Sequence, residues 1–192
     1  MSRSGKTLLV WDIDDVLNLL MEQFAVSQHI SVGDLTENPP HKILQISKEE
    51  YLSKLDSVRM SGFYDLPPRP ETMAFFEEHG DKFCHVALSA VPLRFMEDSS
   101  AWVLHHFGAW IQSVFFIPSK RQDRRICSQL FSSKADAMLA LGPDAVLIDD
   151  SPQNVESVRE AGGKSLLFPA PWNDRRDLST EKFFSRLKGL SK

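Results

Sequence analysis

Short apolar runs separated by stretches of helical spacing constrain this chain more than any other feature. The runs are Thr7 to Ile13, Phe83 to Ser89, Ser113 to Ile117, Ala145 to Asp149 and Ser165 to Phe168. Most are continuously apolar rather than alternating, as strands covered on both faces are. Strands of this kind, alternating with helices, predict an α/β fold around a parallel sheet. At 192 residues the chain is long enough for one such domain with a modest insertion.

The helices between the runs carry their own punctuation. Ser151 followed by Pro152 reads as an N-cap with proline at the first helical position, and Gly162 stands where a C-terminal glycine belongs. That placement puts Asp149 and Asp150 at a strand end. After Ser132 and Ser133 a helix is expected with Ala135, Met138 and Leu139 on one face, stopped by Gly142 and Pro143. Lys134 then lies in its first turn, where a cation opposes the helix dipole, a hint that its charge has a task. From Asn18 to about Ser61 the pattern changes to a helical start, a loop around Asn38, Pro39 and Pro40, and a second helix. Ser47 and Glu50 form a capping box there, and Tyr51, Leu55 and Val58 recur at helical spacing. This segment reads as a small helical insertion over the end of the first strand.

Composition narrows the partners. A net charge of -4 offers no long-range attraction to duplex nucleic acid and points to a small molecule instead. Cys84 and Cys127 are far apart and lack neighbours at ligand spacing, so neither zinc nor a disulfide framework is expected. Met1 to Lys6 is short and polar, without room for the apolar part of a signal peptide, and no run has the length of a membrane span; a cytoplasmic location is expected.

The chemistry lies at the strand ends. LLVWDIDDVL finishes an apolar run in Asp12, Asp14 and Asp15, and AVLIDDSPQN finishes another in Asp149 and Asp150. Open parallel sheets bind ligands at the carboxyl edge. Crowded carboxylates repel one another unless a cation is present, and magnesium is the natural one for oxygen ligands near phosphate. One acid pair alone could be a solvated loop or a helix cap; two pairs at one sheet edge are harder to explain that way. FCHVALS brings a hydroxyl, Ser89, to its end, and Lys134 supplies positive charge of the kind phosphoryl transfer needs.

In this order WDIDDVL, VALSA, the lysine of SSKADAM and LIDDSPQN resemble the four motifs of the haloacid dehalogenase-like (HAD) superfamily. The resemblance covers nearly the whole chain. It implies a three-layer Rossmann-like fold with strand order 5-4-1-2-3, a core of residues 1–17 and 62–192, and a small cap of residues 18–61 after the first strand. It implies further that Asp12 is the nucleophile that becomes an aspartyl-phosphate, and that Asp14 is the general acid and base. Magnesium would be held by Asp12, the backbone carbonyl of Asp14 and Asp150, with Asp149 and Asn154 in support. Ser89, Lys134 and the amide of Ala90 would bind phosphoryl oxygens. Asp15 departs from the glycine of many members; its side chain could crowd the turn, add metal affinity or point to solvent.

A looser resemblance concerns substrate. GFYDLPPRPETMAFFEEHGDKFCHVALSAVP and LLFPAPWN resemble segments of the 5′(3′)-deoxyribonucleotidases, which makes a nucleoside monophosphate the leading candidate among small phosphorylated substrates. Sugar phosphates or phosphoproteins, phosphotransfer, and a binding protein without turnover remain the alternatives. The basic run Lys120, Arg121, Arg124 and Arg125 could hold a second anionic group or be a solvated loop. Phe24, Tyr51, Phe63 and Tyr64 are expected to pack the core rather than stack on a base, and His105 and His106 to be ordinary helix residues.

Overall fold

A computed structural model describes residues 5–62, 65–119, 121 and 130–191. Its strands are β1 (Leu8–Trp11), β2 (Cys84–Ser89), β3 (Ile111–Phe116), β4 (Ala145–Asp149) and β5 (Lys164–Leu167). All neighbouring strands pair in parallel, in the order β3-β2-β1-β4-β5. This is the expected 5-4-1-2-3 sheet, counted from its other edge. The first strand is shorter than the apolar run that announces it, because the chain turns out of the sheet after Trp11.

Side chains of successive strand residues alternate between the two sheet faces. Leu9, Trp11, Ala87, Val146 and Ile148 join one buried cluster, whereas Val10, Leu88, Ala145 and Leu147 join another. On the first face pack α3 (Pro70–His79), α4 (Met96–Phe107) and α7 (Thr180–Lys188) through Phe75, Phe76, Trp102, Phe107, Phe183 and Phe184. On the second pack α5 (Lys134–Leu141) and α6 (Pro152–Glu160) through Ala137, Met138 and Val158. Two covered faces explain why the strands read as unbroken apolar runs.

The helix stops follow the sequence signals. The Ser151 hydroxyl accepts from Asn154 N at the start of α6, and Gly162 closes that helix at φ 85°, a left-handed conformation that costs a side-chain-bearing residue strain. The Ser133 hydroxyl caps α5 by accepting from Asp136 N. The face of α5 differs from expectation: Lys134, Ala137 and Met138 are buried, while Leu139 is 55% exposed. Lys134 turns inward, and the positions three and four residues after it follow it to the same side.

Between β1 and α3 lie α1 (Leu20–Ser27) and α2 (Lys48–Gly62), separated by a short 3-10 turn at Val32–Asp34 and a loop with a cis Asn38–Pro39 bond. Ser47 Oγ accepts from Glu50 N, and Tyr51, Leu55 and Val58 are buried as their spacing predicts. Together with Leu20, Met21 and Phe24 they belong to the same cluster as the first sheet face. The base of the segment is stitched together: Asn18 bridges Pro68, Arg69 N donates to Leu17 O at 2.8 Å, and Thr72 Oγ1 donates to Val16 O at 2.9 Å. The helices therefore stand over the carboxyl edge on a closed base.

Candidate active site

The acidic residues meet because β1 and β4 are neighbours. Trp11 pairs with Ile148, and Asp12 N donates to Ile148 O at 2.9 Å, so Asp12 leaves β1 beside the end of β4. Asp12, Asp149 and Asp150 are all buried and offer carboxylate oxygens within 4.8 Å of one another. Lys134 enters this group from the start of α5, with its Nζ 2.8 Å from Asp12 Oδ1 and 2.6 Å from Asp149 Oδ2. The cost of placing an ammonium against the helix dipole is thus met by two carboxylates.

Each acid is held differently. Asp149 is saturated: besides Lys134 it accepts from Ser151 N at 2.9 Å and from Asn154 Nδ2 at 3.1 and 3.0 Å. Asp12 Oδ1 accepts from Ile13 N at 2.9 Å, and Asp150 Oδ2 from Trp172 Nε1 at 2.6 Å. Among the described residues, Asp12 Oδ2 and Asp150 Oδ1 accept no hydrogen bond. Burial above all pushes the Asp12 and Asp150 carboxyls well up from the usual carboxylate range, and neighbouring carboxylates add to the effect. Burial pulls the Lys134 ammonium down, but Asp12 and Asp149 outweigh it and hold the group above its ordinary value.

The loop after β1 is arranged by Asn18, whose Oδ1 accepts from Asp15 N at 3.0 Å and Leu20 N at 3.2 Å while its Nδ2 donates to Asp14 Oδ1 at 3.2 Å. The other oxygen of Asp14 receives Arg59 Nη2 at 2.5 Å. Arg59 is buried on α2, so the insertion reaches the loop after β1 through an ion pair. Asp15 neither crowds the turn nor faces solvent. It sits at φ 62°, buried, and its Oδ1 accepts from Met21 N at 2.7 Å, which ties the start of α1 to the loop. Burial raises its carboxyl to about 7, with the Asp14 charge adding.

No protein-family model matches the chain, and no curated protein is similar to it in sequence. Solved structures match it in fold. A haloacid dehalogenase-like family hydrolase from Streptococcus pneumoniae superposes with a TM-score of 0.60 at 12% identity, over 96% of this chain and 100% of that one. A predicted phosphatase from Clostridium acetobutylicum gives 0.58 at 16%, over 96% and 99%. A haloacid dehalogenase-like family hydrolase from Xanthomonas campestris gives 0.59 at 12%, over 97% of each. The fold is the HAD-like one.

Of the residues the sequence singled out, the HAD-like sheet brings Asp12, Asp149, Asp150 and Lys134 into contact and puts Asn154 on Asp149. Ser89 closes β2 on the same edge, buried, two residues beyond the Trp11–Ala87 pair; Ala90 follows it, exposed. Asp14 stands apart from the three-carboxylate cluster, in the grip of Asn18 and Arg59. Phe24 and Tyr51 pack against each other in the core, with ring centroids 5.3 Å apart. His105 and His106 lie in α4, and His106 packs on Trp102. Lys120, Arg124, Arg125, Cys127, Phe63 and Tyr64 lie outside the described residues.

Arg59, Asn18, Trp172 and Asn173 carried no sequence reading as site residues. Asn173 Nδ2 donates to Asp150 O and to Phe168 O, both at 2.8 Å, so the Trp-Asn pair after β5 clamps Asp150 from two sides. The phrase LLFPAPWN held that signal, but only the fold shows what the pair grips.

Proposed function

We propose that this chain is a magnesium-dependent phosphomonoester hydrolase working through an aspartyl-phosphate on Asp12. The observation that carries the reading is the buried convergence of Asp12, Asp149, Asp150 and Lys134 on the carboxyl edge of a HAD-like sheet. The residues fit a hard divalent cation: the donor set is all oxygen, and one oxygen each of Asp12 and Asp150 is without a hydrogen bond among the described residues. Asp12, the Asp14 carbonyl and Asp150 would hold it, and it would neutralise charge on the phosphoryl oxygens.

The remaining roles belong to side chains of this protein. Asp12 attacks phosphorus in line; the new bond from its carboxylate oxygen forms as the bond to the leaving oxygen breaks, and Asp14 protonates that oxygen. Asp14 then takes a proton from water, which attacks phosphorus, releases inorganic phosphate and restores Asp12. Lys134, Ser89 and the Ala90 amide balance the phosphoryl charge. Asp149 and Asn154 keep Lys134 in place, a role supported by the four hydrogen bonds on Asp149. Residues 18–61 act as the cap on a core of 1–17 and 62–192. The substrate is a small phosphorylated molecule; the nucleoside monophosphate reading rests on the two resembling segments.

A hydrolysis screen over nucleoside monophosphates, sugar phosphates and an aryl phosphate tests this. Wild type releases phosphate only with Mg²⁺, and Asp12→Asn and Asp14→Asn each reduce kcat by about a hundredfold or more. Wild type and both variants equally inert on every compound would defeat the reading.

A further inference from the structure

The oxygens of the three buried acids are not equally available. Asp149 Oδ1 accepts from Ser151 N and Asn154 Nδ2, and its Oδ2 from Lys134 Nζ and Asn154 Nδ2. Asp12 Oδ1 takes Ile13 N and Lys134 Nζ. Asp150 Oδ2 takes a single donor, Trp172 Nε1 at 2.6 Å. What remains open among the described residues is one oxygen of Asp12 and one of Asp150. Each of those two acids therefore offers a cation one oxygen rather than both. For Asp12 two donors enforce the restriction; for Asp150 it depends on one indole.

The segment after β5 is built to keep that indole in place. Phe168 N donates to Asp149 O at 2.8 Å, so the segment starts beside the end of β4. Asn173 then knots it: its N donates to Ala170 O at 3.2 Å, its Nδ2 to Phe168 O and Asp150 O at 2.8 Å, and its Oδ1 accepts from Arg175 N at 2.9 Å. Trp172 is 9% exposed and belongs to the same buried cluster as Phe168, which leaves the ring little room to swing away. An indole N–H donates and cannot accept. Its bond to a carboxylate is charge-assisted, so ionisation of Asp150 strengthens the contact rather than breaking it.

The number of oxygens a carboxylate gives decides which hard cation it suits. Mg²⁺ takes about six oxygens in a tight octahedron and keeps several waters, whereas Ca²⁺ takes up to about eight and accepts both oxygens of one carboxylate. Without the indole, Asp150 can turn both of its oxygens to a cation, which favours the larger one. We infer that Trp172 is a positioning residue that holds Asp150 to a single oxygen and so sets the preference of the site for Mg²⁺ over Ca²⁺. The inference deepens the phosphohydrolase reading and takes its cation site from it.

Two substitutions separate the donor from the bulk of the ring. Trp172→Phe fills much of the space without an N–H. Trp172→His gives up the benzo ring, but with its ring laid on the five-membered ring of indole, Nε2 falls where Nε1 was and donates there as neutral imidazole. Calorimetric titration of metal-free wild type and each variant with magnesium or calcium chloride, at alkaline pH, gives both dissociation constants without turnover. Wild type binds Mg²⁺ about tenfold more tightly than Ca²⁺. Trp172→Phe loses about tenfold in Mg²⁺ affinity while Ca²⁺ affinity holds or rises, so the preference disappears; Trp172→His restores most of it. A purely structural role gives the opposite pattern, with both cations weakened together and the smaller imidazole the worse replacement. Ca²⁺ preferred by wild type, a ratio unchanged in Trp172→Phe, or a ratio lost equally in both variants overturns the role, and the first of these needs no variant. Mg²⁺-dependent hydrolysis with an unchanged ratio defeats the role of Trp172 alone. Ratios that move as expected in a protein inert throughout the phosphate screen defeat the phosphohydrolase reading alone, and binding of neither cation defeats both.

Discussion

Two residues show how single side chains couple the loop after β1 and the core. Asp15 combines left-handed backbone with a cap on α1, through the bond from Met21 N to its Oδ1. Asparagine tolerates that backbone and keeps an acceptor; alanine does neither. Asp15→Ala should therefore lose about 1–2 kcal/mol in urea denaturation, while Asp15→Asn stays within about 0.5 kcal/mol of wild type. Equal losses would show that neither the cap nor the backbone matters. His85 works in the core. Trp11 Nε1 can only donate, so the His85 Nδ1 it meets at 3.0 Å accepts, and Nε2 carries the proton donated to Gly80 O at 2.9 Å. Burial lowers the imidazole to about 4, with the Gly80 bond opposing. The folded value lies below the ordinary 6.5 of the unfolded chain, so stability is full above that value and falls as pH drops toward about 4, by roughly 3 kcal/mol for this group. His85→Gln keeps a donor and an acceptor without a charge; its stability should fall less than wild type between pH 7 and 4.5, and parallel curves would refute the assignment.

Elements were legible where their signal is local. The five strands announce themselves because both sheet faces are covered, and α6 because Ser151, Pro152 and Gly162 are all sequence neighbours of its ends. The inward face of α5 was misjudged because hydrophobicity alone sets a periodicity reading, and Lys134 is a charge buried for the site. Asp12 and Asp150 could be found at the ends of their runs. Arg59 and Trp172 could not, because each meets its acid across 45 and 22 residues of chain, contacts that exist only once β1, β4 and the insertion are assembled. The contact of α2 with Asp14 has a consequence at this scale. Arg59→Met keeps volume but removes the ion pair, leaving Asp14 with Asn18 alone; it should cost about 1–3 kcal/mol in stability and lower kcat in the same preparation. Unchanged values for both would mean that α2 is held by its apolar face alone.

Over the whole molecule, folding gathers charge that the unfolded chain keeps apart. Three buried carboxylates surround one ammonium, and the formal sum, three negative charges against one positive, leaves -2, which one divalent cation cancels. The upward displacement of the Asp12 and Asp150 carboxyls, caused first by burial, means that their ionised forms cost stability in the folded protein as pH rises through the folded values. Two opposite effects of one substitution follow. With Mg²⁺ at a hundred times its dissociation constant, wild type should gain about 2.7 kcal/mol of unfolding free energy, and Asp150→Asn should lose most of that gain. With chelator at pH 8 the order reverses: Asp150→Asn is the more stable protein, because its amide oxygen can still accept from Trp172 Nε1 while the buried charge is gone. Urea denaturation of both proteins with Mg²⁺ and with chelator reads all four values. An equal Mg²⁺ gain in the variant would remove Asp150 from the metal site, and a less stable variant in chelator would show that repulsion among the acids is not what the cation relieves.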